Sequence, residues 1–298
     1  MENRSYIFIL LAGICWGTIG YFAKILLSYN LTSLEVAFFR TFIGFFIIFI
    51  CFLIVNRQVL KIDKRGMLYT LAIGILCQVV FNSLYFYAVK NVGVATSAVL
   101  LYTAPAFSLM ASGMFLGENI TKLKVISLLI CLVGCFFTAT GGDIHVLEAN
   151  SFGLIAGLGA GFCYGMMPVL SKSIMGKYNN WTILLYVFGF ASIVLFFMAG
   201  PSDLMNLGIG IKGWATIMLF GLIVSVVPFG LYYKGLSLGI EPSKASIIAT
   251  TELVVAVIIS LMAFNENFGP SKFLGVILVL ISVILIQSAD KKVKVVEA

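Results

Sequence analysis

Ten apolar stretches, each long enough to cross a lipid bilayer, dominate this sequence. A transmembrane helix needs about 20 mostly apolar residues. Short polar connections separate the stretches, and none of them is long enough to fold as a soluble domain. The sequence therefore predicts an all-α polytopic membrane protein with ten transmembrane helices. The predicted spans, numbered 1 to 10, cover residues 6–27, 34–55, 67–89, 95–116, 123–140, 152–174, 181–199, 213–234, 243–264 and 273–288.

The composition excludes an ordinary soluble protein. Of the 298 residues, 61% are hydrophobic and 10% are charged, whereas soluble domains carry about 25% charged residues. The net charge of +7 would suggest a nucleic-acid partner for a soluble protein. Here the distribution of the cations follows membrane topology, so we expect the lipid bilayer and no nucleic acid as a partner. The first span is too long for a signal peptide, and we expect it to stay in the mature protein.

The two halves of the chain repeat each other at a constant offset. Residues 13–24 read GICWGTIGYFAK, and residues 161–172, which lie 148 positions later, read GFCYGMMPVLSK. Matches of Lys, Glu and Tyr in one ungapped register indicate a duplicated unit. The sequence thus predicts a first five-helix repeat over residues 1–145 and a second over 146–298. The identical pairs are Gly13/Gly161, Cys15/Cys163, Gly17/Gly165, Lys24/Lys172, Phe81/Phe229, Tyr85/Tyr233, Thr103/Thr251, Ser112/Ser260, Glu118/Glu266 and Lys124/Lys272.

Lys and Arg are concentrated on one side of the predicted membrane. If the N-terminus is cytoplasmic, fourteen of the nineteen Lys and Arg residues lie on the cytoplasmic side. This bias marks cytoplasmic connections and predicts that both termini are inside, in an inner or plasma membrane. Since each repeat has five spans, an odd number, the second repeat must be inverted relative to the first. Inverted repeats around a central cavity are typical of secondary transporters with alternating access.

Several segments of the chain carry motifs whose order and spacing are specific. They are CWGTIGYFAK in span 1, FFRTFIGF in span 2, LYFYAVKNVGVATSAVLLYTAPAF across spans 3 and 4, and LGE before a basic connection. In the second half they are LYYKGLSLGIEPSKASIIATTELVVAV and NENFGPSKFLGVILVLISVILI. In these segments the chain resembles the EamA type of the drug/metabolite transporter superfamily. Two features depart from the family pattern: Glu252 is followed by Leu253 instead of Pro, and the counterpart of Arg40 is Phe188.

The resemblance implies a ten-helix basket in which spans 1, 3, 4, 6, 8 and 9 surround a central cavity. It places spans 5 and 10 at the outside, so we expect a monomer or a weak homo-oligomer. It also implies outward transport of small metabolites without ATP. The sequence has no GxxxxGK[ST] phosphate-binding loop, and we predict neither a cofactor nor a catalytic activity.

Polar aromatic and small polar side chains of these spans form the predicted substrate-binding site. Tyr and Trp combine an apolar ring with a polar tip, which suits a partly wet cavity wall. Glu252 lies near the middle of span 9, where a charge is costly and requires a reason. It is a proton-coupling site, a contact for a substrate amine, or a structural partner of Arg40. The predicted binding residues are Trp16, Asn82, Tyr85, Tyr102, Thr103, Tyr164, Tyr232, Tyr233, Thr251 and Glu252.

Three cations and three prolines form a predicted group of gating residues. Lys24 and Lys172 occupy equivalent repeat positions near opposite membrane faces, where they either contact substrate or reach for water. Arg40 either serves transport or simply partners backbone carbonyls or Glu35. A proline inside a span removes a backbone donor and bends the helix. The predicted gating and charge residues are Lys24, Arg40, Lys172, Pro105, Pro168 and Pro228.

The six cysteines and the single histidine give no sign of a metal centre. Every cysteine lies in an apolar stretch without a CxxC spacing, so we expect buried, unreactive thiols. His145 stands alone in a polar connection, and we predict no metal site. Four glycines at every fourth position of span 6, beginning at Gly153, indicate either close helix packing or a sliding contact.

The sequence favours a secondary transporter of small organic metabolites, with export of amino acids or related compounds as the leading expectation. The alternative within transport is proton-coupled uptake of a cationic or zwitterionic compound, such as a quaternary amine, with Glu252 as the proton carrier. A membrane enzyme is disfavoured because Glu252 has no His or Asp companion at the midplane. A receptor subunit is disfavoured because no soluble sensing domain accompanies the spans.

Overall fold

The computed structural model describes residues 2–145, 150–205, 207–264 and 269–296. This part of the chain is almost entirely helical and contains no β-strand. The helices are α1 (Glu2–Trp16), α2 (Ile19–Ser28), α3 (Ser33–Val55), α4 (Lys64–Gly74), α5 (Phe81–Leu101), α6 (Ala104–Leu116), α7 (Lys122–Thr140), α8 (Ser151–Ile174), α9 (Asn180–Ala199), α10 (Pro201–Met205), α11 (Gly210–Phe220), α12 (Val227–Ser237), α13 (Pro242–Ala249), α14 (Thr251–Phe264) and α15 (Pro270–Val296).

Two π-helical segments and the 3₁₀ turn after α3 also position the spans in the described part of the chain. The first π segment (Ile75–Val80) joins α4 to α5, and the second (Gly221–Val226) joins α11 to α12. The 3₁₀ turn Arg57–Leu60 follows α3. In the described ranges, nine helical stretches are long and apolar enough to span a membrane, and α6 is a shorter apolar helix. The predicted all-α membrane architecture is confirmed.

Five of the predicted spans consist of more than one helical piece. Span 1 combines α1 and α2, span 3 runs from α4 into α5, span 4 combines the end of α5 with α6, span 8 runs from α11 to α12, and span 9 combines α13 and α14. Spans 3 and 4 separate at Gly93, whose φ of 79° favours a residue without a side chain.

The start of span 2 forms as its sequence predicts. Thr32 caps α3, accepting a hydrogen bond from the backbone N–H of Glu35 at 3.3 Å. The Glu35 carboxylate accepts from the backbone N–H of Thr32 at 2.5 Å, which closes a capping box. Both backbone donors are thereby satisfied at the membrane surface.

Contacts between the helices follow the repeat. Helix α1 packs on α12, and the equivalent helices of the other half, α8 and α5, pack on each other. Three further pairs each join equivalent spans of the two halves: α3 with α9, α6 with α13, and α7 with α15. If every span is replaced by its repeat counterpart, the α1–α12 pair becomes the α8–α5 pair. The other three pairs still join the same two spans.

Four connections meet at one end of the bundle, which we call the basic end. Tyr178 bonds to Asp63, which brings connection 175–179 against 56–63. Ser243 bonds to Glu118, which brings the start of α13 and connection 238–241 against 117–121. The repeat counterpart of connection 175–179 is 27–31, which joins α2 to α3. It lies at the opposite end of α3 from connection 56–63, and therefore at the end of the bundle opposite the basic end.

Spans 4 and 9 are both interrupted in the middle, at equivalent positions. The interruption lies at Tyr102–Thr103 in span 4 and at Thr250 in span 9. A glycine of the neighbouring helix lies against each: a Cβ on Gly161 would lie 2.6 Å from the Leu100 carbonyl oxygen, and a Cβ on Gly13 would lie 3.2 Å from that of Ala249. These glycines allow backbone to approach backbone where the helices break.

Candidate functional site

A cavity of about 410 Å³ lies between the two halves of the bundle. This volume is in the range of small-molecule sites, about 300–1,000 Å³. It extends from the middle of the bundle to Leu27, Ser33 and Val94, at the end opposite the basic end. Six predicted residues line it: Trp16, Arg40, Asn82, Tyr85, Tyr102 and Glu252.

Glu252 lies in the first turn of α14, directly after the interruption of span 9. Its side chain faces the cavity although the residue is 8% exposed. The Tyr164 hydroxyl donates to Oε2 at 3.3 Å. The unpaired N–H groups and the dipole at a helix N-terminus also favour a carboxylate. The broken span thus stabilises an acid in the middle of the membrane.

Arg40 faces the same cavity from α3. Its guanidinium donates to Gln78 Oε1 at 3.0 Å, and its backbone carbonyl accepts from the Ser225 hydroxyl at 2.9 Å. The alternative that Glu35 partners Arg40 is wrong, because the Glu35 carboxylate closes the cap of α3 instead. Arg40 and Glu252 line the same cavity and do not form a direct ion pair with each other.

Aromatic rings form the wall between these charges. Trp16 makes an edge-on contact with Phe229, with ring centroids 5.1 Å apart, and lies 5.2 Å from the ring of Tyr232. On the other side, Phe81 stacks on Tyr85 at 6.0 Å and on Tyr164 at 5.6 Å. Aromatic faces attract both apolar groups and cations.

Several predicted binding residues lie behind this wall. Tyr232 and Tyr233 are buried, and the Tyr233 hydroxyl is 2.6 Å from that of Ser171. The hydroxyls of Thr103 and Thr251 donate to the carbonyls of residues 100 and 248, at 2.6 and 2.9 Å. They thus satisfy backbone groups at the two interruptions instead of facing the cavity. Tyr85 faces the cavity, whereas its repeat counterpart Tyr233 is fully buried and does not line it.

The predicted gating residues have different positions. Pro105 lies in the first turn of α6, where the missing N–H costs little. Pro228 follows the second π segment inside the continuous helix of span 8. Pro168 lies inside α8. Lys24 is exposed on α2, whereas the half-buried Lys172 donates to the Leu236 carbonyl.

A cluster of ion pairs, one of which joins the two halves, closes the basic end. Lys124 Nζ lies 3.0 Å from Glu241 Oε1 and 3.5 Å from Glu118 Oε2, and Lys244 also pairs with Glu241. The Ser243 hydroxyl donates to Glu118 Oε2 at 2.5 Å. Sequence reasoning missed this cluster, although Glu118 and Lys124 belong to the repeated pairs.

The lining of the cavity is mostly apolar and carries two charged groups. One guanidinium and one carboxylate face it, with aromatic rings between them. In the described ranges no three His, Cys, Asp or Glu side chains are grouped to hold a metal ion. All six cysteines are free thiols; Cys51 is exposed and Cys15 partly exposed, contrary to the expectation that all are buried.

Comparison with known families decides what kind of protein carries this cavity. The model of the EamA-like transporter family matches the chain twice, over residues 3–140 and 151–288. The chain belongs to the EamA-like transporter family. The resemblance noted in the motifs is therefore confirmed, and the EamA-like protein is a multi-pass membrane transporter, not an enzyme.

Similar proteins span nearly the whole EamA-like chain. An uncharacterized transporter of Archaeoglobus fulgidus is 27% identical over 281 residues, which cover 93% of this chain and 94% of the relative. The pseudopaline exporter CntI of Pseudomonas aeruginosa is 23% identical over 243 residues, which cover 81% of this chain and 78% of the relative. A solved crystal structure with 14% identity has the same fold, with a TM-score of 0.75 over 96% of each chain.

Proposed function

We propose that this EamA-like transporter is a secondary transporter of the cell membrane that works by alternating access between two inverted halves. The observation that carries the proposal is the shape of the cavity. It is lined by residues of both halves, extends to one end of the bundle, and is separated from the other end by an ion pair and a hydrogen bond that join the halves. Exchanging the open and the sealed end would carry a bound molecule across the membrane.

The pattern of helix contacts supports the inversion. Contacts between helices are preserved when each span is replaced by its repeat counterpart. Connection 175–179 lies at the basic end, while its counterpart 27–31, between α2 and α3, lies at the opposite end of the bundle. In this proposal, equivalent spans of the two halves run through the membrane in opposite directions. The Lys and Arg bias assigns the basic end to the cytoplasm, so the cavity faces outward.

The proposed cargo is a small zwitterionic metabolite, such as an amino acid or a related compound, and the proposed direction is export. Support for the cargo comes from the opposite charges of Arg40 and Glu252 on one cavity wall. Support for the direction comes from the name of one relative, CntI, as a pseudopaline exporter. The six residues that line the cavity are the proposed binding site.

A second candidate is proton-coupled uptake of a quaternary amine. It is favoured by Glu252, a buried carboxylate surrounded by Trp16, Tyr85 and Tyr102. Aromatic rings and a carboxylate attract such cations, and a carboxylate can carry a proton. In either case spans 5 and 10 lie at the periphery, since α7 and α15 pack together with exposed faces, where a weak homo-oligomer would form.

Topology and transport are tested together. In a variant without native cysteines, single cysteines at positions 143 and 203 should react with an impermeant reagent from outside, and those at 61 and 122 only from inside. Purified protein in liposomes should exchange a labelled cargo against the same unlabelled cargo without ATP. Reaction of position 61 from outside would contradict the inverted topology, and exchange that requires ATP would contradict secondary transport.

A further inference from the structure

Arg40 is held by one residue from each half of the protein. Gln78 accepts from its guanidinium at 3.0 Å, and Ser225 donates to its backbone carbonyl at 2.9 Å. Gln78 lies in the first π segment and Ser225 in the second. These are the two π-helical segments of the described chain, and they overlap when one half is shifted onto the other. A π-helical turn changes which side chains face a given direction, and such turns concentrate at functional sites.

The two contacts fix different parts of Arg40. The bond from Ser225 joins the second π segment to the backbone of α3 and so sets the depth of the residue in the membrane. The bond to Gln78 Oε1 orients the guanidinium plane. Asn82 bonds to the Gln78 backbone carbonyl at 2.5 Å, one turn further along. The side chain is therefore oriented before any ligand arrives, which lowers the entropy lost on binding.

The described residues use little of the hydrogen-bonding capacity of Arg40, which lines the cavity. A guanidinium has five N–H donors, and among the described residues Gln78 is the one hydrogen-bond acceptor of this side chain. Glu252 faces the same cavity without forming an ion pair with it. A carboxylate matches the remaining N–H groups because it can accept two parallel hydrogen bonds from one guanidinium.

The sequence supplies this arrangement once. The repeat counterpart of Arg40 is Phe188, which is fully buried, and that of Gln78 is Val226. A cation needed only to hold the two halves together could stand in either half. A single cation on the cavity wall instead creates one binding position for one anionic group.

We propose that Arg40 is the binding site for a carboxylate of the transported molecule, and that Gln78 and Ser225 are its positioning residues. This inference rests on the proposed transport function and narrows it. Cargo must carry an anionic group, so a quaternary amine without a carboxylate is not transported. A site built to bond one group rejects analogues that lack it, because its own polar atoms are then left unpaired.

The test measures binding to purified full-length protein in lipid nanodiscs. The probes are the proteinogenic L-amino acids and simple mono- and dicarboxylic acids, each compared with its amide and, for the amino acids, with the decarboxylated amine. Ligands that bind the folded state raise its melting temperature. We expect at least one acid to stabilise the protein, and its amide and amine to bind at least about tenfold more weakly, as loss of a charged hydrogen bond predicts.

Variants separate positioning from folding. Arg40→Met should abolish the preference for acid over amide. Ser225→Ala and Gln78→Leu should reduce that preference while the melting temperature without ligand changes little. Ser192→Ala is the matched control, since the Ser192 hydroxyl bonds only within its own helix, and it should keep the preference. Equal binding of acid and amide, an unchanged preference in Arg40→Met, or no stabilisation by any acid would overturn the inference. The exchange assay tests transport independently of these results.

Discussion

The Lys124 ammonium lies 3.0 Å from the Glu241 carboxylate, and this ion pair joins the first half of the transporter to the second at the basic end. Lys124 is almost fully enclosed, with 3% of its side chain exposed. Counterparts of Glu241 and Lys244 in the other half are Gly93 and Thr96, which carry no charge. Two of the charged residues that close the basic end thus have no charged equivalent at the opposite end. This asymmetry favours the conformation in which the basic end is closed.

Breaking this ion pair should open the basic end. We expect Lys124→Met to lower the free energy of unfolding by about 2 kcal/mol, less than the 3–5 kcal/mol of a fully buried pair, because Glu241 is 31% exposed. A cysteine at the buried position 108, whose serine bonds to the Pro242 carbonyl, should become more reactive from the cytoplasmic side. Lys122→Met is the control, since Lys122 is exposed on the same turn. Equal reactivity in the two variants would contradict a sealing role.

Close packing at the interruption of span 4 should be intolerant of a single methyl group. A Cβ on Gly161 would lie 2.6 Å from the Leu100 carbonyl oxygen, which cannot move without shifting the α5 backbone. We expect Gly161→Ala to destabilise the protein by about 1–3 kcal/mol, measured by thermal unfolding.

A glycine two residues away provides the comparison. At Gly159 the nearest atom to an added Cβ is the end of the flexible Leu84 side chain, at 3.0 Å. Gly159→Ala should be neutral or stabilising, because alanine is the better helix former. If both substitutions cost the same, the backbone contact of Gly161 is not the reason for its effect.

Replacing Glu252 by Gln distinguishes the two transport candidates. If Glu252 carries a proton, Glu252→Gln should abolish uptake driven by a pH gradient and leave exchange of labelled against unlabelled cargo intact. If it binds a substrate amine, both activities should fall together. Transport in liposomes with and without an imposed pH gradient makes the distinction.

A contact between connections at the basic end should depend on pH. Hydrogen bonds from the Tyr178 hydroxyl, at 2.6 Å, and from the Gly66 backbone N–H, at 2.7 Å, lower the pKa of Asp63 below its ordinary value. A lowered native pKa stabilises the fold above the unfolded pKa of about 3.9, and this contribution is lost as the pH falls through the native pKa.

Melting temperatures of two tyrosine variants test this dependence. Tyr178→Phe should be less stable than the wild type at neutral pH, and the difference should shrink below about pH 4. Tyr186→Phe removes a bond of 2.8 Å to the backbone carbonyl of Leu60, which does not titrate, so its effect should stay constant. Parallel behaviour of both variants would exclude Asp63 as the titrating group.

Features set by local sequence could be predicted, and those set by packing between helices could not. Apolar length gave the ten spans, and the Thr32 and Glu35 pair gave the capped start of α3. Pro105 predicted a bend in span 4, and the interruption at Tyr102–Thr103 lies just before it. The interruption of span 9 at Thr250 has no proline beside it and was not predicted.

In the candidate site, too, local sequence predicted some features and packing between helices set the others. Charge and repetition singled out Arg40 and Glu252, both of which line the cavity. Local spacing suggested Glu35 as the partner of Arg40, whereas Gln78 reaches it from a different helix. Repetition also made Tyr85 and Tyr233 equal candidates, although in this conformation only one end of the cavity is open and only Tyr85 faces it.

The charges of the cavity stand at positions that the duplication did not copy. Opposite Arg40 the second half has Phe188, and opposite Glu252 the first half has Ala104. The breaks of spans 4 and 9, and the glycine contacts beside them, by contrast occur in both halves at matching places. Mutation at the unmatched positions can therefore change which molecule is carried while the paired machinery that moves it stays intact, so an ancestral duplication of this kind can give rise to descendants with different cargoes and one common motion.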